Sequence, residues 1–254
     1  MLEFFDCDFG VRYSGVGLRP PATPEAACAV MDRYAIRQAM VYDRGATESG
    51  VFDRFDAILA FCEGNPRLCP TISVSPPAAG EGPPPDELVD MILRFGIKAV
   101  RVWPNLHAFD FDPFSFGRLL EKLEKRRIPL LYHSMRLTDF PWDHRLDWRR
   151  IRETALAFPK LPIVVVYMGM LESRRALPVL EGCPNVLTDL TCVSFQYIEF
   201  VAERFGPDRL VLASHYPVQD PALVIPWVSY SGLPLKARKL IASGNLQRLA
   251  GGIR

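Results

Sequence analysis

KAVRVWPNLHAFDFDPFSFGRLLEKLEKRRIPLLYHSM, residues 98–135, contains one full period of this chain. A short apolar run, KAVRVWP (98–104), is followed by a loop. Asp112 then stands before Pro113 as an N-cap with proline at the first helical position. The helical segment PFSFGRLLEKLEKRR ends on the basic run Glu124 to Arg127, where Lys and Arg suit the helix dipole at a solvated C-terminus. A second apolar run, PLLYHSM (129–135), begins at once. Strand, helix, strand in this order makes a parallel pair, because parallel neighbours need a crossover between them.

The period recurs along the chain. The apolar runs are EFFDCDFG (3–10), QAMVYD (38–43), LCPTISVS (68–75), the two already quoted, PIVVVYMG (162–169), NVLTDLTC (185–192) and RLVLASHYP (209–217). Helical segments lie between them. Thr23-Pro24-Glu25 opens PEAACAVMDRYA, FDRFDAILAFCEGN ends in Gly-Asn, and Asp86 begins the amphipathic DELVDMILRFG. Asp147 heads WRRIRETALAF, FQYIEFVAERFG ends in glycine, and LPLKARKLIASGNLQRLAG closes the chain. Eight such units in 254 residues predict a single (β/α)8 barrel over 1–254. An open doubly wound sheet would carry a glycine-rich phosphate loop after its first strand. Gly10, Gly15 and Gly17 lack that spacing, and no helix starts there.

Composition narrows the function classes. Net charge is +1 with no asymmetry, so neither nucleic acid nor an anionic membrane is an expected partner. No stretch of about 18 apolar residues spans a bilayer. The first ten residues are acidic, unlike a signal peptide. The six cysteines (7, 28, 62, 69, 183, 192) form no CxxC and read as reduced thiols of a cytoplasmic protein.

In a barrel of this kind chemistry sits at the C-terminal ends of the strands. The residues there include Asp6, Asp8 and Gly10; Tyr42, Asp43 and Arg44; Arg101 and Trp103; His133; Tyr167; Asp189; and His215. Alternation puts Arg101 and Trp103 inward and Val102 outward. An inward arginine either meets a ligand or pairs with Asp6, Asp8, Asp43 or Asp189. No G-x-S-x-G elbow occurs, which argues against a serine hydrolase. The loop segment WDHRLDW (142–148) reads either as a lid over the pocket or as a solvated helix start.

The series GIKAVRVWP, IPLLYHS, FPKLPIVVVYMG, CPNVLTDLT, FGPDRLVLASHYP and SGNLQRLAG resembles, in order and spacing, the motifs of the amidohydrolase-related family. The likeness runs the length of the chain. It implies a TIM barrel of the metal-dependent hydrolase and decarboxylase type, similar to aminocarboxymuconate-semialdehyde decarboxylase-like enzymes. It also implies a small carboxylate-bearing substrate or ligand and makes a homo-oligomer an expectation. The family's metal ligands map poorly. Its strand-one His-x-His falls on Asp8 and Gly10, its strand-six histidine on Tyr167, and its strand-eight aspartate on His215. Only the strand-five histidine is kept, as His133. The expectation is therefore no cofactor, with His215 as base, Asp8 and His133 beside it, and Arg101, Trp103 and Tyr167 holding substrate. An imidazole suits a base near neutral pH. The alternative is one divalent metal, zinc first, on Asp8, His133 and His215. A further alternative is a catalytically silent barrel that binds a ligand or serves as a scaffold.

Overall fold

The structure is a computed structural model that describes residues 2–12, 18–47, 52–134, 146–168, 172–191 and 193–254. Gly15, Gly17, Gly169, Cys192 and residues 142–145 of the segment WDHRLDW lie outside those residues. Eight parallel strands appear at the eight apolar runs, with β1 ending one residue beyond its run and β2 starting two residues before its own. They are β1 (Phe4–Val11), β2 (Ile36–Asp43), β3 (Leu68–Ser73), β4 (Ala99–Val102), β5 (Leu130–His133), β6 (Ile163–Val166), β7 (Val186–Asp189) and β8 (Leu210–Val211). Each pairs with the next in sequence order. The ring closes through Cys7 N–H on the Leu212 carbonyl at 3.0 Å and a parallel bridge between Phe9 and Tyr216.

The longer helices are α1 (Pro24–Arg33), α2 (Phe55–Cys62), α3 (Pro85–Arg94), α4 (Pro113–Arg126), α5 (Trp148–Ala157), α6 (Ser173–Gly182) and α7 (Phe195–Arg204). Three of their caps are those the sequence announces. Asp112 accepts from the Ser115 N–H at 2.8 Å, Asp147 from Arg150 at 3.0 Å and Thr23 from Ala26 at 3.2 Å. Helix α3 starts one residue before Asp86, because Pro85 occupies the first helical position. Helix α6 carries Pro178 in its interior, and that residue hides its period from sequence reading. Short helices follow, α8 (Ile225–Ser229), α9 (Leu235–Lys239) and α10 (Asn245–Gly251).

Both faces of the strands are buried, as a parallel barrel requires. An inner apolar cluster of Phe5, Cys7, Met40, Ala99, Leu131, Val164, Leu187 and Val211 fills the barrel. Leu246 and Leu249 of α10 join it, and the Asn245 amide donates to the Leu210 carbonyl at 2.8 Å, closing the N-terminal end. The outward set, with Val41, Val100, Val102 and Val165, packs under the helices. Polar residues therefore sit above an apolar floor, at the C-terminal end.

Candidate active site

Strand β1 does not alternate regularly. Three steps from Asp6 to Phe9 match two on β2, from Ala39 to Val41. The extra residue forms a bulge. Its effect is that neighbours in sequence both meet the interior: Cys7 joins the inner cluster while Asp8 reaches the polar centre. Asp6 accepts from the Asp8 N–H at 3.0 Å and the Ser214 N–H at 2.9 Å, and also from the Ser214 hydroxyl. These bonds hold the bulge against the segment after β8. Burial pushes the Asp6 carboxyl up to about 6, against the Ser214 hydrogen bond.

Arg101 is the centre of the arrangement. It is fully buried on β4 and all five of its N–H groups are engaged by protein. Nε donates to Thr71 Oγ1 at 2.7 Å, and Nη2 to the carbonyls of Cys7 at 2.7 Å and Met40 at 3.1 Å. Nη1 meets Asp8 Oδ1 at 2.8 Å and His133 Nε2 at 2.6 Å. Its guanidinium also lies 4.4 Å from the ring centre of Tyr42.

These contacts set the state of each neighbour. A guanidinium only donates, so His133 Nε2 accepts and the ring is neutral. Burial pushes the His133 imidazole well below its ordinary value, in agreement. Burial pushes the Asp8 carboxyl up, but the His215 hydrogen bond and the Arg101 charge outweigh it and hold Asp8 below the usual carboxylate range. His215 Nδ1 stands 2.6 Å from Asp8 Oδ2, which places the proton on Nδ1. In the neutral ring His215 Nε2 carries the lone pair, and this buried atom has no hydrogen-bond partner among the described residues.

Two rings fix the imidazoles. Tyr167 stacks on His215 at 4.3 Å and Trp103 on His133 at 3.8 Å. Tyr167 and His215 both hold left-handed backbone, φ 61° and 55°. Asp189 on β7 stabilises the first, accepting from the N–H of Tyr167 at 3.0 Å and of Met168 at 3.3 Å. Trp103 is buried, with its Nε1 donating to Ser73 Oγ at 2.9 Å, whereas Tyr167 remains partly exposed. Asp8, His133, His215, Arg101, Trp103 and Tyr167 are thus brought together in one cluster.

Residues 13–249 match the family model described as Amidohydrolase. The chain belongs to the amidohydrolase family. No curated protein sequence matches it significantly. Among solved structures, an uncharacterized TIM-barrel protein of Bordetella bronchiseptica is similar at 18% identity, TM-score 0.77, over 99% of each chain. A dihydroxybenzoic acid decarboxylase of Polaromonas, solved with manganese and 2-nitroresorcinol, is similar at 15% identity and TM-score 0.75, over 99% of this chain and 97% of that one. A putative 2-pyrone-4,6-dicarboxylic acid hydrolase of Pseudomonas putida is similar at 16% identity and TM-score 0.70, over 99% and 98%. At these identities the likeness is one of fold.

A divalent ion does not fit the donor set of this amidohydrolase as it is arranged. Catalytic zinc takes lone pairs from three protein ligands. Here the Asp8 Oδ1 and His133 Nε2 lone pairs both point at one guanidinium nitrogen, and Asp8 Oδ2 is held by His215. A cation placed between them would have to displace Arg101. Among the described residues no group of three His, Cys, Asp or Glu side chains is set to hold a metal.

Sequence reasoning placed Arg44, Asp6 and Asp189 at the strand ends, with Asp6 and Asp189 as possible partners of Arg101, but gave Arg44 no role and did not foresee that the two carboxylates brace backbone N–H groups. Arg44 directly follows β2 and is buried, and an ideal Cβ on Gly10 would lie 2.8 Å from its Cγ. The signal was present as a glycine at a family histidine position. It could not say which distant side chain fills the space.

Proposed function

We propose that this amidohydrolase-family chain hydrolyses a small carboxylate-bearing substrate without a metal, using His215 as general base. The observation that supports this reading is the Asp8–His215 pair, in which His215 Nε2 has no hydrogen-bond partner among the described residues. In this reading His215 Nε2 takes a proton from water as the water attacks an acyl or lactone carbonyl. Asp8 keeps the imidazole in the required tautomer and stabilises the imidazolium that forms, and the same proton then passes to the leaving oxygen or nitrogen. Arg101 supplies the fixed positive charge beside Asp8. Its donors are all spent on protein, so in this proposal it positions Asp8, and substrate contact falls to Tyr167 and to groups at the barrel mouth.

The test is a panel of carboxylate-bearing lactones and esters, assayed with and without chelator, beside elemental analysis of untreated protein. Turnover that survives chelation and falls by about 10²–10⁴-fold in His215→Gln is expected. Stoichiometric zinc or manganese in the active protein would overturn the metal-independent reading. One observation favours a second reading: Asp8, Arg101, His133 and His215 all have zero exposure. Closure of this kind suits a catalytically silent ligand-binding barrel, and ligand binding without turnover across the panel would select it.

A further inference from the structure

Buried charges in proteins are paired, because an isolated ion loses its hydration without return. Arg44 departs from this. It is 4% exposed, and its Nε and Nη1 are buried with no hydrogen-bond partner among the described residues. The nearby carboxylates are committed elsewhere. Asp43 is paired with Arg12 at 3.2 Å and accepts from the Gly45 N–H at 2.8 Å, and Asp8 is shared by Arg101 and His215. No ion pair among the described residues includes Arg44.

Its position is built by the fold. The side chain crosses the end of β1 directly over Gly10, where a Cβ would come within 2.8 Å of Cγ and 3.0 Å of Cδ. The opposite wall is the Tyr216 carbonyl, which accepts the Gly10 N–H at 2.7 Å and is one residue past His215. Tyr42 lies next to Arg44, and its buried hydroxyl faces that guanidinium, with no hydrogen-bond partner other than Arg44 among the described residues. Burial pushes the Tyr42 phenol up, so at neutral pH it is a donor.

We propose that Arg44 and Tyr42 form a carboxylate-binding subsite at the mouth of the barrel, seated on Gly10 and adjoining His215. A planar guanidinium offers parallel donors that match the two oxygens of a carboxylate, and the phenol adds a third. One positive charge matches a monoanion. The subsite deepens the reading of the chain as a hydrolase of carboxylate-bearing molecules and rests on it for its purpose. The anion would anchor at Arg44, with the scissile group toward His215 Nε2.

Direct binding of benzoate, compared with the neutral benzamide, tests the subsite apart from turnover. By calorimetry on the full chain, benzoate should bind wild type and benzamide should not. Arg44→Gln should weaken benzoate by about tenfold or more, the loss of a charge-assisted pair. Arg44→Lys, which keeps the charge and loses the fork, should fall between. Gly10→Ala should also weaken binding by pushing the Arg44 stem aside. His215→Gln should leave benzoate affinity unchanged, so that a wrong base assignment does not imitate a wrong subsite. If Arg44→Gln does not fold, a benzoate-dependent rise in wild-type Tm, absent with benzamide and reduced in Gly10→Ala, serves instead. Equal affinity of wild type and Arg44→Gln for benzoate would overturn the proposal. So would a wild type that fails to distinguish benzoate from benzamide, or one that prefers inorganic phosphate.

Discussion

Arg101 ties β4 to four other strands through single side-chain bonds: Cys7 and Asp8 on β1, Met40 on β2, Thr71 on β3 and His133 on β5. Alternation along KAVRVWP shows that this arginine points inward, and a buried arginine must have a partner. It does not show which of four aspartates provides it, because the partner is 93 residues away. The β1 bulge decides it. Removing the guanidinium leaves Asp8 ionised and buried beside unpaired carbonyls, so Arg101→Met is expected to cost about 3–5 kcal/mol. Urea unfolding measures this, and a cost below about 1 kcal/mol would mean that the network is not paired as described. Lysine brings one nitrogen where Arg101 uses three, so Arg101→Lys should recover little of the loss.

Two elements carry predictions of their own. Helix α6 contains Pro178 on its exposed side, where the ring removes one N–H from the helical ladder. Pro178→Ala should stabilise the protein by about 1–3 kcal/mol, less the entropy that proline removes from the unfolded chain. Thermal unfolding showing a lower Tm would refute it. At the β6–β7 junction, Asp189 holds the turn that presents Tyr167, and burial raises its carboxyl to about 6. The unfolded chain releases that proton near pH 3.9. The folded state therefore holds the proton to higher pH, and the stability this contributes is complete below about pH 4 and lost as pH rises through about 6. Asp189→Asn removes the titration. The stability of wild type relative to Asp189→Asn should thus decline between pH 4.5 and 7, and a difference that stays level or widens would contradict the burial effect. Element types were readable in the caps and periods of the sequence. Helix α6 was not, because an interior proline breaks the pattern by which helices are recognised.

At the scale of the whole molecule the family membership and the barrel agree, and no helix among the described residues is long and apolar enough to cross a membrane. The proposed metal-independent site, with Arg101 as its central cation, carries a prediction at this scale. Prolonged dialysis against chelator is expected to leave Tm unchanged, whereas a drop of several degrees would show a structural or catalytic ion. The sequence by itself determined the strand count, their parallel order, the end of the barrel where polar groups gather, and the presence of Asp8, His133 and His215 at that end. These follow from local periodicity and capping, which each segment carries within itself. Tertiary structure alone decided that Arg101 fills the space between Asp8 and His133, that Asp8 turns inward past Cys7, and that Arg44 lies over Gly10. Those outcomes depend on which side chains from remote strands compete for one small volume, and on a one-residue slip in strand register that no alternation rule encodes.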